Sequence, residues 1–453
     1  MSAHLKNVAR AIFADALQAI DVRSAVLSRI AQRDGVLTLA GRSIPSAEID
    51  RIVIIAMGKA AVAMYMAAAE ALAGIEHTAV VVGPKETLPI AAVQNADLHG
   101  GRGSNVTFLP GAHPTPTIQS LEAADVILRG LAAVTSRTVV LFLISGGASA
   151  MVEKPLDPAI TLDDLAMFSR ALVGSGLDIA AMNTLRKHLS AVKGGRLAKA
   201  AERARMQCTL LISDVPEAAP DAVGSGPSLP DSTTVAETRM LVRVLRRSTY
   251  LPQSITAWFE EASLPETPRA RDAVFSRAHW EVLLSSEHLA RAARGAAENA
   301  GFHAVLDNAC DDWDYREAGR YLLGRSAALS REAGQPTCLI SVGEVGVVTS
   351  LQAGEGGRNQ QFALWCADAL ADRKHVATVL SAGTDGIDGH SSAAGAVCDE
   401  ETVSRAGNAG LSVREALEGF NTAPLLHALG DALYTGPTGN NLRDLRLILT
   451  DGD

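Results

Sequence analysis

Along this chain, short runs of β-branched and aliphatic residues alternate with longer stretches whose apolar positions recur every three to four residues. The first pattern belongs to strands covered on both faces, the second to helices with one face on a core. Arg51–Met57 (RIVIIAM), Thr78–Val82, Ser136–Ile144 (SRTVVLFLI) and Gln207–Ile212 (QCTLLI) read as strands. A helix follows the first of them to about Ala73, and others fall over 5–19, 117–131, 161–173, 178–189 and 195–203. A second group begins with strands at Trp280–Leu284 and His303–Leu306 around a helix at 286–299. A helix at 314–332 leads to Thr337–Ser341, which is expected to form a hairpin with Gly346–Leu351. A helix at 359–371 and strands at Val376–Leu380 and Leu445–Thr450 close the chain. The alternation predicts an α/β protein with mostly parallel sheets. Residues 228–250 are helical but polar, and 263–277 mix proline with charge, so the domain boundary is placed within 235–275.

Composition narrows the class. With 47% hydrophobic and 20% charged residues among 453, the chain is not mainly disordered. Aromatics are 4%, so Ala, Val, Leu and Ile must build the core. The balance of 41 basic and 50 acidic residues, with no clustered basic stripe, argues against a nucleic-acid binder. Apolar runs such as Ala60–Ala69 and Val139–Ile144 fall short of the ~20 residues that span a bilayer. The N-terminal stretch carries Lys6, Arg10, Asp15 and Asp21 and lacks the apolar core of a signal peptide. Cys208, Cys310, Cys338, Cys366 and Cys398 form no CxxC pair, which suits buried thiols in a reducing cytoplasm.

The chemistry-bearing candidates are glycine-rich junctions at strand ends, where ligands of open α/β sheets bind. Met57-Gly58-Lys59-Ala60-Ala61 places a lysine where a helix starts. There it can reach a phosphate, or it can be a surface lysine beside a tight turn. The loop is not a Walker A motif, since Val53 stands at the first glycine and Ala60 at the Ser/Thr. His113, in GAHPTPT at 111–117, can contact a substrate or serve a structured turn. Ser145-Gly146-Gly147-Ala148-Ser149 offers backbone amides and two hydroxyls to an anion. Arg186, Lys187, Lys193 and Arg196 with Gly194 and Gly195 suit a polyphosphate, or else a solvated helix face. Asp214 stands like a Mg²⁺ or substrate ligand, or a helix cap. Later in the chain, Gly357-Arg358-Asn359 opens a helix, Thr384-Asp385-Gly386-Ile387-Asp388 follows a strand, and Thr438 lies in a Gly/Thr loop. No complete GxGxxG, GxSxG or HExxH occurs, which disfavours a dinucleotide-dependent dehydrogenase, an α/β-hydrolase and a zincin.

Taken in order, these loops resemble those of the class II glycerate kinase family, the glycerate 2-kinases with a MOFRL domain. The matching segments include MGKAA at 57–61, GAHPTPT at 111–117, ISGGASAM at 144–151 and MNTLRKHLSAVKGGRLA at 182–198. GGRNQQFAL at 356–364, AGTDGIDGHSSAAGA at 382–396 and TGPTGNN at 435–441 continue the match. Some members of the family carry an older hydroxypyruvate reductase label.

The resemblance implies a Rossmann-like N-terminal domain over 1–240, a smaller α/β MOFRL-type domain over 275–453, and an active site in an interdomain cleft. It implies ATP-dependent phosphorylation of D-glycerate to 2-phosphoglycerate, with Lys59 and Arg358 at the family's catalytic positions. Nucleotide and substrate would meet Gly58, His113, Ser145, Gly146, Gly147, Ser149, Arg186, Lys193, Gly194, Gly195, Asn359, Thr384 and Thr438. Mg²⁺ would accompany ATP, with Asp214 or Asp385 as candidate ligands. The partners are then ATP and a small hydroxy acid in the cytoplasm, without nucleic acid or membrane, and a homodimer is compatible with the sequence. The chain departs from the family pattern at 217–219, 345–346, 390–392, 422–424 and Asn440. Those departures keep open a kinase for another sugar acid and a metabolite-binding paralogue with weakened activity; a hydroxypyruvate reductase, disfavoured by the absent dinucleotide fingerprint, is the legacy alternative.

Overall fold

The computed structural model describes residues 2–89, 98–100, 104–215, 219–348, 354–371 and 376–452. Three short strands, β1 (Ile30–Arg33), β2 (Val36–Leu39) and β3 (Arg42–Pro45), form an antiparallel meander. The apolar pattern does not predict it, because β1 and β3 each bury a single residue.

A seven-stranded sheet follows. It contains β4 (Arg51–Met57), β5 (His77–Gly83), β6 (Leu98–Gly100), β7 (Ser104–Pro110), β8 (Thr138–Ser145), β9 (Met206–Ile212) and β10 (Ala278–Leu284). Their order is β10-β9-β8-β4-β5-β7-β6. Strands β9, β8, β4, β5 and β7 run parallel, and β6 pairs antiparallel with β7. All eight residues of β8 are buried, as its continuous apolar run predicts. On one face Val53, Ile55, Phe142 and Ile144 pack with Ala123, Ile127 and Leu131 of the helix Ile118–Ala132. The chain leaves β4 toward β5 and β7, then returns to build β8 on the other side of β4. The order therefore reverses between β4 and β8, a topological switch point of the kind where α/β sheets bind ligands.

The last six strands form a second sheet. They are β11 (His303–Leu306), β12 (Thr337–Gly343), β13 (Thr378–Gly383), β14 (Gly395–Cys398), β15 (Ala432–Leu433) and β16 (Asp444–Thr450), in the order β11-β12-β16-β13-β14-β15. Only β11 and β12 pair in parallel, whereas mostly parallel sheets were expected. Strands β13 and β16 are buried throughout, and a strand buried on both faces reads alike in either direction. Among the described residues, 346–348 do not form the expected hairpin. Gly346 bridges Asp314 in parallel, and its backbone is taken by Trp313 and Tyr315. Residues 349–351 of that expected hairpin lie outside the described residues.

The chain divides into two compact units, Val22–Leu283 and Met1–Asp21 with Leu284–Asp453. The first helix (Ser2–Ala19) thus belongs with the C-terminal half and not with residues 22–240. Its Lys6 Nζ lies 3.0 Å from Asp431 and 3.1 Å from Asp399. Its amphipathic pattern gives it a buried face (Leu5, Ala9, Ile12, Phe13) but does not say which core that face meets. Likewise β10, expected in the second group, closes the edge of the first sheet beside β9. The five cysteines are buried and unpaired by disulfides. Among the described residues, no helix is long and apolar enough to cross a membrane.

Candidate active site

In the Val22–Leu283 unit, the switch point is built by two turns side by side. Gly58 adopts φ +115°, and a Cβ there would lie 2.4 Å from both Ser145 O and Oγ, so only glycine fits. Lys59 N–H donates to Gly146 O at 2.9 Å, and Ala60 N–H donates to Ser145 Oγ at 2.9 Å. Ser145 is fully buried, and its hydroxyl clasps the Gly-Lys turn. At Gly147 (φ +84°) a Cβ would meet Lys59 Cγ at 3.3 Å and His113 Cδ2 at 3.5 Å. Lys59, Gly147 and His113 therefore share one place. His113 is exposed at the site, yet enough protein surrounds its ring to disfavour charge. That desolvation, reinforced by the cations of Lys59 and Arg186, holds its imidazole below the usual range.

A cavity of about 540 Å³ opens from this point, with His113, Gly147, Ser149, Asn183, Arg186 and Asp214 in its wall. Asn183 and Arg186 come from the helix Ile179–Leu189, whose first turn is capped by Asp178 accepting from Ala181 N–H at 2.8 Å. Ser149 Oγ lies 2.9 Å from Ser225 Oγ, and Ser225 donates to Asn183 Oδ1 at 2.9 Å. Burial holds the Arg186 guanidinium below its ordinary pKa, and the Glu153 carboxylate opposes that shift.

The Lys193-Gly194-Gly195 segment has a different task from the anion cradle expected of it. Lys193 is 1% exposed and donates to Glu153 Oε2 at 2.5 Å and Val152 O at 3.2 Å. The Gly194 and Gly195 amides donate to Ser225 O at 3.0 Å and Gly226 O at 2.7 Å. The motif staples the Gly224–Pro227 loop to the cavity wall. Lys187, also buried, holds the same region through Asp221 (2.6 Å) and Asp231 (3.0 Å).

The other unit carries a separate polar cluster at the start of the helix Arg358–Ala371. Asp388 accepts from Asn359 N–H at 3.1 Å and Gln360 N–H at 2.8 Å. Burial pushes its carboxyl up to about 7. Arg358 donates to Asp444 Oδ2 at 2.6 Å and Oδ1 at 3.1 Å, and to Glu344 Oε2 at 2.7 Å. Burial disfavours the Arg358 charge, but these two carboxylates outweigh it and hold the guanidinium above its ordinary pKa. Asn359 is committed to Asp388 and to Ser381, whose hydroxyl donates to Asn359 Oδ1 at 2.6 Å. Thr384 Oγ1 donates to Arg443 O at 2.8 Å and accepts from Leu442 N–H at 2.8 Å. The Thr438 hydroxyl donates to Thr384 O, which ties the two Gly/Thr loops together. Asp385 Oδ1 accepts from Ile387 N–H at 3.1 Å. Among the described residues, no group of three or more His, Cys, Asp and Glu side chains is placed to hold a metal. Sequence reasoning missed Asp444 and Glu153. Each sits far along the chain from the cation it pairs with, and no local spacing marks it.

Two family models match the chain: a domain of unknown function (DUF4147) over residues 8–260 and the MOFRL family over residues 337–444. The D-glycerate 2-kinase of Thermotoga maritima is 32% identical, covering 89% of this chain and 91% of its own. A crystal structure of glycerate kinase from that organism superposes with a TM-score of 0.80 at 30% identity, over 98% of this chain and 99% of its own. A Pyrococcus horikoshii crystal structure gives 0.76 at 27% identity, over 99% of both chains. A relative in Agrobacterium vitis with a hydroxypyruvate reductase name is 32% identical over 98% of this chain and 94% of its own.

Proposed function

The chain belongs to the class II glycerate kinase family, and on that premise we propose that it transfers the γ-phosphoryl group of ATP to the 2-hydroxyl of D-glycerate, giving 2-phosphoglycerate. The observation that carries this reading is the meeting of Lys59 and His113 at the glycine turn of Gly147, with Arg186 in the wall of the same cavity. Phosphoryl transfer asks a protein for positioning and charge stabilisation more than for covalent chemistry. Lys59 and Arg186 supply positive charge where negative charge accumulates. The imidazole of His113, whose surroundings disfavour its charged form, can accept the proton that leaves the hydroxyl.

Mg²⁺ would be held mainly by phosphate oxygens and water, since among the described residues no group of three or more His, Cys, Asp and Glu side chains stands ready for it. Asp214, in the cavity wall, is the carboxylate that would join it, while Asp385 serves its own turn. When bound, the ion would neutralise charge on the phosphates.

Incubation with ATP, Mg²⁺ and D-glycerate, followed by phosphorus NMR, should yield ADP and 2-phosphoglycerate. Absence of both from folded protein would refute the assignment. A larger aldonate as clearly the better substrate would replace D-glycerate in it.

Arg358 is proposed as a second catalytic cation, held in one orientation by Asp444. Asp444→Asn keeps the shape but removes the carboxylate charge and leaves one acceptor oxygen where Arg358 donates to two. It should lower turnover about tenfold, the size of one such weakening, with little change in KM. Asp444→Glu should recover part of the loss. Equal turnover in wild type and Asp444→Asn would remove the positioning role.

A further inference from the structure

The cavity beside Gly147 is larger and less polar than a three-carbon acid requires. Its volume of about 540 Å³ falls in the range of sites for whole cofactors. One end is polar, with His113, Arg186, Ser149 and Asp214 in its wall, Glu153 paired to Lys193, and Lys59 beside His113. The other is built by the helix Leu162–Val173 and the start of the helix Ile179–Leu189. There Leu165 and Phe168 are buried, at 2% exposure each, while Val173 and Ile179 are 73% and 48% exposed. Single exposed apolar residues are ordinary on a protein surface. Two of them lining a cavity whose far end is polar and charged form an amphipathic site. D-glycerate has charge and hydroxyls at every position and offers nothing to an apolar lobe. A nucleoside triphosphate has both halves: a flat apolar base and a polyanionic tail.

We propose that this cavity is the nucleotide site, with the triphosphate toward Lys59 and Arg186 and the purine in the lobe of Leu165, Phe168, Val173 and Ile179. This rests on the kinase reading and deepens it, because it assigns ATP, and not the acid, to the cavity of the Val22–Leu283 unit. The base is recognised by apolar contact, and Ser169 and Arg170 in the cavity wall add donors for its edge.

The exposed pair permits a test that leaves the core intact. Val173→Ser and Ile179→Ser, singly and together, are titrated calorimetrically with Mg·ATP and with Mg·tripolyphosphate, which lacks the base. The double variant should bind ATP about tenfold more weakly, as loss of apolar contact predicts, and tripolyphosphate as the wild type does. KM for D-glycerate should be unchanged. Unchanged ATP affinity in the double variant would overturn the lobe assignment. So would equal weakening of ATP and tripolyphosphate, or a rise in KM for the acid. Failure of the wild type to bind either phosphate compound would overturn the kinase reading together with it.

Discussion

Lys59→Ala should lower turnover by about 10²–10³-fold, the loss seen when one preorganised charge-stabilising group is taken from a site. The position of Lys59 is set by three constraints outside its own side chain. Gly58 lets β4 turn against Ser145, the Lys59 amide is held by Gly146 O, and the Ala60 amide is held by the Ser145 hydroxyl. None of these depends on the ammonium group, so the alanine variant should keep its fold. The chain segment 57–61 then delivers the stem of Lys59 to Gly147, within contact of the same point as His113. A lysine whose backbone is anchored this way needs little rearrangement of the turn as phosphoryl charge shifts, so its loss should fall on kcat more than on KM. A second readout separates this role from a structural one. His113 is kept below its ordinary pKa by desolvation first and by Lys59 and Arg186 next. Removing Lys59 should therefore move the His113 titration upward in an NMR experiment, with the burial and Arg186 contributions left in place. A near-normal rate in folded Lys59→Ala would sink the catalytic assignment, whatever the histidine did.

The strands that position this site were legible because they are buried on both faces and read as unbroken apolar runs, as in β4, β8 and β9. Their terminal glycine loops were legible as candidates for the same reason: a buried strand must turn sharply where it ends. That the loops meet was not legible. Ala60 and Ser145 are 85 residues apart, and only the parallel register pairing Met57 with Ile144 brings their turns together. Charge was misleading where density stood in for exposure. Arg186 and Lys193 look equivalent in the segment 183–196, but Arg186 lines the cavity while Lys193 is sealed against Glu153. Nothing local in the sequence tells which cation has a buried counter-charge. Arg358 was found by its place at a helix start, whereas its partner Asp444 lies 86 residues away at the first position of β16. The small meander β1–β3 escaped because it buries too few residues to show a period.

Lys193 makes the strongest stability prediction. Its ammonium is buried and lies 2.5 Å from Glu153 Oε2, and Glu153 is itself 6% exposed. Desolvation pulls the lysine pKa down, and the Glu153 carboxylate opposes that shift. Such a pair adds little over well-packed apolar residues, but removing one partner strands the other charge in a low-dielectric interior. Lys193→Met should therefore destabilise the Val22–Leu283 unit by about 3–5 kcal/mol, read as a lower urea midpoint for its unfolding. Lys193→Met combined with Glu153→Leu should recover most of that loss, because no unpaired charge is left behind. Additive destabilisation in the double variant would show that the two side chains act through packing and not through their charges. Activity should separate from stability in the same variants. Glu153 also lies in the cavity wall and offsets the desolvation of Arg186. The double variant should thus be stable but should bind the nucleotide's phosphates with altered affinity, as Arg186 loses the carboxylate that shares its surroundings. If stability returned and phosphate affinity stayed at the wild-type value, Glu153 would be a structural counter-ion only, and Arg186 would not depend on it.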